Sequence, residues 1–252
     1  MARFFITGSS DGLGLHTAKQ LIARGHQVVL HARNAQRAAD TRSACPGAED
    51  VLIADLTSLE ETRALAAEAN QRGPYAAVVH NAGVYLGMEK VPGKSGLPSL
   101  FAVNTLAPYM LTCLMEKPQR LVYVSSGLHS GGKPNWDSEA QVQASTYGDS
   151  KLHDVMLANA FARLWPGVES NSVDPGWVAT KMGGKSATGS LEAAVDAFTM
   201  LALGEGNAAG KTGVYFRQSE PSTPRVKAAT DAGEQDKLLG LLGKISGVSV
   251  PA

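Results

Sequence analysis

Cysteine is nearly missing from this chain: Cys45 and Cys113 are the only two in 252 residues, and they stand far apart in no CxxC or Cys/His spacing. That excludes a disulfide framework and a structural zinc, and it reads as free thiols in a reducing compartment; no metal site is expected. Neither sign of charge is in excess, since 23 basic residues meet 23 acidic ones. No net field therefore recommends nucleic acid or an anionic membrane as a partner. No apolar run is long enough to span a membrane, and the opening "MARFFITG" has neither a charged n-region nor a cleavage site, so a cytoplasmic protein is expected. Repeats and low-complexity tracts are missing too. With 44% hydrophobic and 18% charged residues the composition is that of a folded globule, whose expected partner is a small molecule.

What is present is an alternation. The short apolar runs "RFFITG", "HQVVLHA", "DVLIADL", "YAAVVHNAG", "RLVYVSS", "SNSVDPG" and "GVYF" predict about seven strands. Most are continuous rather than alternating, as in parallel strands covered on both faces. Between them lie stretches punctuated as helices, with Ser58 and Glu61 spaced as a capping box, and Gly25 and Pro166 closing helical periods. The pattern predicts an α/β fold, a doubly wound parallel sheet flanked by helices, with residues 1–252 forming one domain. Two loop-rich regions, Gly127 to Ala144 and Lys181 to Ser190, are candidates for binding work.

"FFITGSSDGLGLHTAKQLIARG" places Gly8, Gly12 and Gly14 between the first strand and the first helix. Without Cβ atoms the backbone turns sharply and can approach a pyrophosphate seated on the helix N-terminus. A glycine-rich turn alone is weak evidence; the strand before it and the amphipathic helix after it strengthen it. The T-G-x-x-x-G-x-G spacing resembles that of the classical short-chain dehydrogenases/reductases, and the resemblance runs from Arg3 to about Phe216. It implies a single-domain Rossmann-type fold that binds NAD or NADP. By the same resemblance, Ser10 and Leu13 join the glycines at the cofactor. Asp55 and Leu56 after the third run would contact adenine, and Asn81, Ala82 and Gly83 of "HNAG" would follow at the fourth. His80 replaces the asparagine usual in the family. Taken singly, Asp55 and Asn81 are ordinary turn formers.

The end of the second strand selects the dinucleotide. An acidic residue there would accept from the ribose hydroxyls of NAD. This chain has Ala32 and Arg33 instead, so NADP is expected, with Arg33 as a bidentate clamp on the 2′-phosphate and Asn34 or Arg37 assisting. A solvated surface role is the alternative for Arg33.

"STYGDSKLHD" sets Tyr147 and Lys151 one helical turn apart on one face. With Ser126 of "RLVYVSSGLHS" and Asn104 of "FAVNTLAPYMLT", they match the family's catalytic set. The resemblance implies that Ser126 bonds the substrate oxygen, with Ser125 as packing, and that Tyr147 exchanges the proton. Lys151 would lower the phenol pKa and hold the nicotinamide ribose, and Asn104 would kink its helix and orient a water. Bringing a phenol with an ordinary pKa near 10 to work near neutrality takes about 4 kcal/mol. A unit charge about 4 Å away at an effective dielectric of about 20 supplies that much. "DPGWVATKM" matches the segment in which Pro175, Gly176 and Val178 line the nicotinamide and Thr180 bonds its carboxamide.

The loop "SSGLHSGGKPNWDSEA" and the Y-x-x-S-K-L pattern are most similar to the branch holding retinol dehydrogenases, WW-domain oxidoreductases and protochlorophyllide-reductase relatives, which implies bulky, largely apolar alcohols and carbonyl compounds. His129, Trp136, Trp177 and Met182 are candidates for substrate contact or for packing. A substrate loop is expected at about 181–200, with "KMGGKSATGS" as a mobile lid, and a tail at about 217–252 whose "QDKLLGLLGKI" predicts an amphipathic helix. "LTCLMEKPQRLVYV" is short for the branch, which bears on the helix through which a homodimer or homotetramer would form. The expected activity is NADP-dependent interconversion of an alcohol and a ketone or aldehyde. A catalytically silent NADP-binding redox sensor or scaffold is the alternative, and a nucleotide-sugar epimerase or dehydratase fits neither the glycine spacing nor the C-terminal length.

Overall fold

The computed structural model describes residues 1–85 and 87–251. Each of the seven apolar runs forms a strand: β1 (Arg3–Ile6), β2 (Gln27–Ala32), β3 (Asp50–Ile53), β4 (Ala77–His80), β5 (Arg120–Val124), β6 (Glu169–Asp174) and β7 (Tyr215–Arg217). An eighth, β8 (Glu220–Ser222), pairs antiparallel with β7, so the expected seven become eight among the described residues. It carries Pro221, which an edge strand tolerates because one row of its backbone groups is unpaired. The order is β3-β2-β1-β4-β5-β6-β7-β8, and β1 through β7 are parallel. The order reverses between β1 and β4, which opens a crevice at the carboxyl ends of those strands.

The apolar runs are continuous because both faces of the sheet are covered. In β1, Phe5 belongs to one core, and Phe4 and Ile6 belong to the other. Leu121 and Tyr123 alternate with Val122 and Val124 in the same way along β5. The first core is closed by α3 (Leu59–Asn70), α5 (Ala107–Leu114), α7 (Tyr147–Leu164) and α9 (Ala232–Ser246); the second is closed by α1 (Gly12–Ala23), α2 (Ala35–Ala44) and α8 (Leu191–Leu203). Two short helices, α4 (Ser99–Phe101) and α6 (Glu139–Gln143), complete the set.

Two expectations change in detail, and the amphipathic helix expected in the tail packs into the core. Ser58 caps α3 by accepting from the Glu61 N–H, but the Glu61 carboxylate accepts from the Asp55 N–H at 2.7 Å, so the reciprocal half of the box goes to the preceding turn. The stretch expected as a substrate loop is irregular only to Ser190, since 191–200 lies in α8. The tail is built in: α9 buries Leu238, Leu239 and Leu242 in the first core, and its last residue, Ala252, lies outside the described residues. No helix among the described residues is long and apolar enough to cross a membrane.

Candidate active site

The glycine turn is stitched to the end of β4. Thr7 Oγ1 accepts from the Asn81 and Ala82 N–H groups, and Asn81 Nδ2 donates to the Thr7 and Gly8 carbonyls. Gly8 has φ +60°, and a Cβ there would stand 2.6 Å from Ala82 Cα. A Cβ on Gly14 would meet Asn81 Nδ2 at 2.5 Å. Gly14 does not line the cleft as expected; its missing side chain lets α1 close on β4. His31 props the turn from behind, its Nδ1 accepting from the Gly8 N–H at 2.9 Å, which leaves Nε2–H to donate to the Ala54 carbonyl.

The crevice is a cleft of about 930 Å³. Gly8, Ser10, Gly12 and Leu13 of the glycine turn line it, with Arg33, Asp55 and Leu56, with Asn81, Ala82 and Gly83, and with Pro175, Gly176, Val178 and Thr180. Ser126, Tyr147 and Lys151 line the same cleft. Asp55 and Leu56 follow β3 rather than ending it. The turn can seat a pyrophosphate, because Gly12 opens α1 at φ +54° and Asp11 makes no side-chain cap on that helix. The Arg33 guanidinium is exposed and has no partner among the described residues. Arg37 is engaged instead, donating to Ser10 Oγ and pairing with Asp11 at 2.7 Å, and Asn34 caps α2.

Tyr147 is the first residue of α7, which Thr146 and Asp149 start with a reciprocal capping box. Lys151 follows one turn later, its Nζ 5.6 Å from the centre of the phenol ring. Its ammonium donates to the Val124 carbonyl at 2.7 Å and to Asp154 Oδ2 at 2.8 Å, and both side chains of this pair are buried. Burial pushes the Tyr147 pKa up; Lys151 pulls it down, as expected of that charge, without reversing the rise. Burial works against the Lys151 charge, but Asp154 and Tyr147 keep its pKa raised. Burial lifts Asp154 to about 6 against the pull of Lys151.

Asn104 stands behind this wall rather than on it. A π-helical turn, Ala102–Leu106, interrupts the helix around it. Its amide closes a pair of bonds with the Val84 backbone, at 2.8 and 3.0 Å, and donates to Ser150 Oγ. Ser126 Oγ accepts from the Leu128 N–H at 3.2 Å, and Ser125 Oγ donates to the Lys151 carbonyl from a buried position. The substrate candidates divide. Trp177 and Met182 line the cleft and are exposed, and the Tyr85 ring stands edge-on to Tyr147 at 4.5 Å. Trp136 is buried, donating to Glu234, and His129 is buried behind Ser126. His80 bonds Thr112 through Nε2 and stacks on Tyr123.

Asp154 is the residue of this site that the sequence leaves unassigned. Its three-residue spacing from Lys151 was the available signal.

A profile described as short chain dehydrogenase matches residues 3–190. An uncharacterised oxidoreductase of Emericella nidulans, AN7799, is 48% identical over 257 residues, covering 100% of this chain and 99% of that protein. The short-chain dehydrogenase chyC of Penicillium rubens is 42% identical, covering 100% of each. Human retinol dehydrogenase 14 is 33% identical over 71% of this chain and 62% of its own. Among solved structures, the NADPH-bound carbonyl reductase from chicken fatty liver superposes with a TM-score of 0.66 at 20% identity, covering 86% of this chain and 96% of that one.

Proposed function

The chain belongs to the short-chain dehydrogenase family, and from that premise we propose that it is an NADP(H)-dependent oxidoreductase interconverting an alcohol and a ketone or aldehyde. Its substrate is a small, bulky and largely apolar organic molecule, and it works in the cytoplasm. The observation that carries this reading is the meeting of Ser126, Tyr147 and Lys151 on the wall of the cleft that the glycine turn opens. The nicotinamide cofactor supplies or accepts the hydride. Ser126 Oγ, already accepting from Leu128, keeps its own proton to donate to the substrate oxygen. Tyr147, a phenol whose pKa burial pushes up, donates its proton to a carbonyl oxygen when the reaction runs towards the alcohol. Lys151 has two N–H groups committed to Val124 and Asp154, which leaves a third for the nicotinamide ribose. Asn104 fixes the Val84 backbone and Ser150 behind them.

Arg33 holds the 2′-phosphate, since no protein group engages its guanidinium among the described residues. The turn residues Gly8, Ser10, Gly12 and Leu13 hold the pyrophosphate, Asp55 and Leu56 flank adenine, and Asn81, Ala82 and Gly83 floor the ribose. Pro175, Gly176, Val178 and Thr180 line the nicotinamide. Trp177, Met182 and Tyr85 give the substrate end apolar surface.

A panel of bulky ketones and aldehydes followed by the absorbance of NADPH tests the reading. Tyr147→Phe is expected to lower kcat by about 10²–10⁴-fold, and Arg33→Ala to weaken NADPH binding far more than NADH binding. If Tyr147→Phe turned over as fast as the parent, the proton-transfer role would fall. If the parent bound NADPH and turned over none of the panel, the sensor reading would take its place.

A further inference from the structure

We propose that a small polar cavity behind Ser126 receives the carboxylate end of the substrate, so that the molecule reduced or oxidised here is an apolar carbonyl compound or alcohol with one anionic terminus. The inference rests on the reading of Ser126 and Tyr147 as the reacting site. The cavity, about 220 Å³, is lined by His129, Tyr215 and Arg225 together with Gly127, Asp174 and Arg217. The last three also line the main cleft, so the two spaces meet at them. A Cβ on Gly127 would stand 3.0 Å from Asp174 Oδ2 and narrow the junction. Separate ligand pockets begin at roughly 300 Å³. This one has room for the end of a ligand rather than for a second ligand.

The chemistry of the walls selects an anion. His129 has both ring nitrogens committed: Nδ1 to the Ser126 carbonyl at 2.8 Å, and Nε2 accepting from the Arg225 backbone N–H at 3.2 Å. It is neutral, with burial holding its pKa down. Asp174 accepts from the Gly176 N–H at 2.9 Å and from the Tyr215 hydroxyl at 3.4 Å. The guanidinium groups of Arg217 and Arg225 have no hydrogen-bond or ion-pair partner among the described residues. Glu220, which stands opposite Arg217 in the β7–β8 register, accepts from Asn207 instead. Arg217 and Arg225, both exposed residues, line this cavity, and their charges act on the Tyr215 hydroxyl, that of Arg225 on His129 as well. Two arginines facing one engaged carboxylate leave a positive cavity, and a guanidinium fork takes a carboxylate in bidentate fashion.

Matched pairs test this: β-benzoylpropionate and γ-benzoylbutyrate, each against its methyl ester, with NADPH oxidation as the readout. The parent is expected to favour at least one acid over its ester by about tenfold or more in kcat/KM. Arg225→Ala is expected to collapse that ratio towards one, and Arg225→Lys to restore part of it. Unchanged NADPH affinity serves as the check on folding. Equal kcat/KM for acid and ester in the parent would overturn the proposal, as would a ratio that Arg225→Ala leaves untouched. If the parent turned over none of the four, the oxidoreductase reading would be the one in question. Calorimetric binding of β-benzoylpropionate would then decide the cavity: binding lost in Arg225→Ala upholds it, and binding that is absent, or equal in both proteins, overturns it.

Discussion

Lys151 and Asp154 lie three residues apart on α7, and their pairing sets how much positive charge reaches Tyr147. Burial most of all, and Asp154 with it, raise the phenol pKa, while Lys151 lowers it. On the proposed function, Asp154 is a positioning residue whose charge would bear on the proton step at Tyr147 without touching substrate. Asp154→Asn keeps the shape and removes the charge. The expected result is a fall in the Tyr147 pKa, seen as a shift of the corresponding limb of the kcat–pH profile to lower pH. A loss of stability of a few kcal/mol accompanies it, because a buried ammonium loses its counter-ion. A limb that stayed in place while stability fell would make Asp154 purely structural. A limb moving to higher pH would show that Lys151 had surrendered its proton instead.

Elements that announce themselves locally were legible in the sequence. β1, the glycine turn and α1 follow from adjacent residues, and so does the Tyr147–Lys151 spacing. The eighth strand was not, because β7 and β8 are joined through Gln218 and Ser219, with Gln218 at φ 50°, rather than through an Asn-Gly, Asp-Gly or glycine-led pair. That hairpin is also what closes the cavity holding Arg217 and Arg225. Asp154 was hidden differently: α7 is buried around most of its circumference, so no solvent face separates its functional polar residues from the rest. The segment 181–190 shows a third case. Expected as a lid, it also packs closely at two glycines, where Cβ atoms on Gly183 and Gly189 would stand 2.0 and 2.6 Å from the Val178 and Trp177 carbonyl oxygens. Gly189 N–H donates to the Trp177 carbonyl, Trp177 Nε1 donates to the Gly183 carbonyl, and Lys181 reaches across the cleft to Asp11 at 3.1 Å. The segment is thus a strap tied at both ends. Hydrogen exchange at 181–190 is expected to slow when NADP binds, and Lys181→Ala to speed it by a small factor, since an exposed ion pair contributes no more than about 1 kcal/mol. Exchange that is the same with and without NADP would make the segment a fixed wall of the cleft.

Across the whole molecule, four buried histidines tie the fold to pH, and burial lowers His129 as it lowers the other three. Burial lowers His31 and His153 from 6.5 to about 4, and His80 to about 3. Each is built in as a neutral ring. His31 accepts from Gly8, His153 sits between Thr105 and Asn135, and His80 bonds Thr112. Between pH 6.5 and about 4 the unfolded chain binds these protons and the native protein does not, so stability is lost as pH falls through that window. Each histidine contributes about 1 kcal/mol per pH unit. Asp154 acts in the opposite sense, because its native pKa of about 6 exceeds the ordinary carboxylate value, and its stabilisation is lost as pH rises towards 6. His31, His80 and His153 against Asp154 leave a net slope of roughly 2 kcal/mol per pH unit near pH 5, and His129, also lowered by burial, adds to it in the same direction. Urea unfolding at pH 7 and pH 5 should show a lower midpoint at pH 5. His80→Phe keeps a ring on Tyr123 and removes one titration, so it should flatten the slope by about 1 kcal/mol per pH unit. A protein as stable at pH 5 as at pH 7 would mean that these rings meet water before the core opens, and that the glycine turn does not depend on a neutral His31.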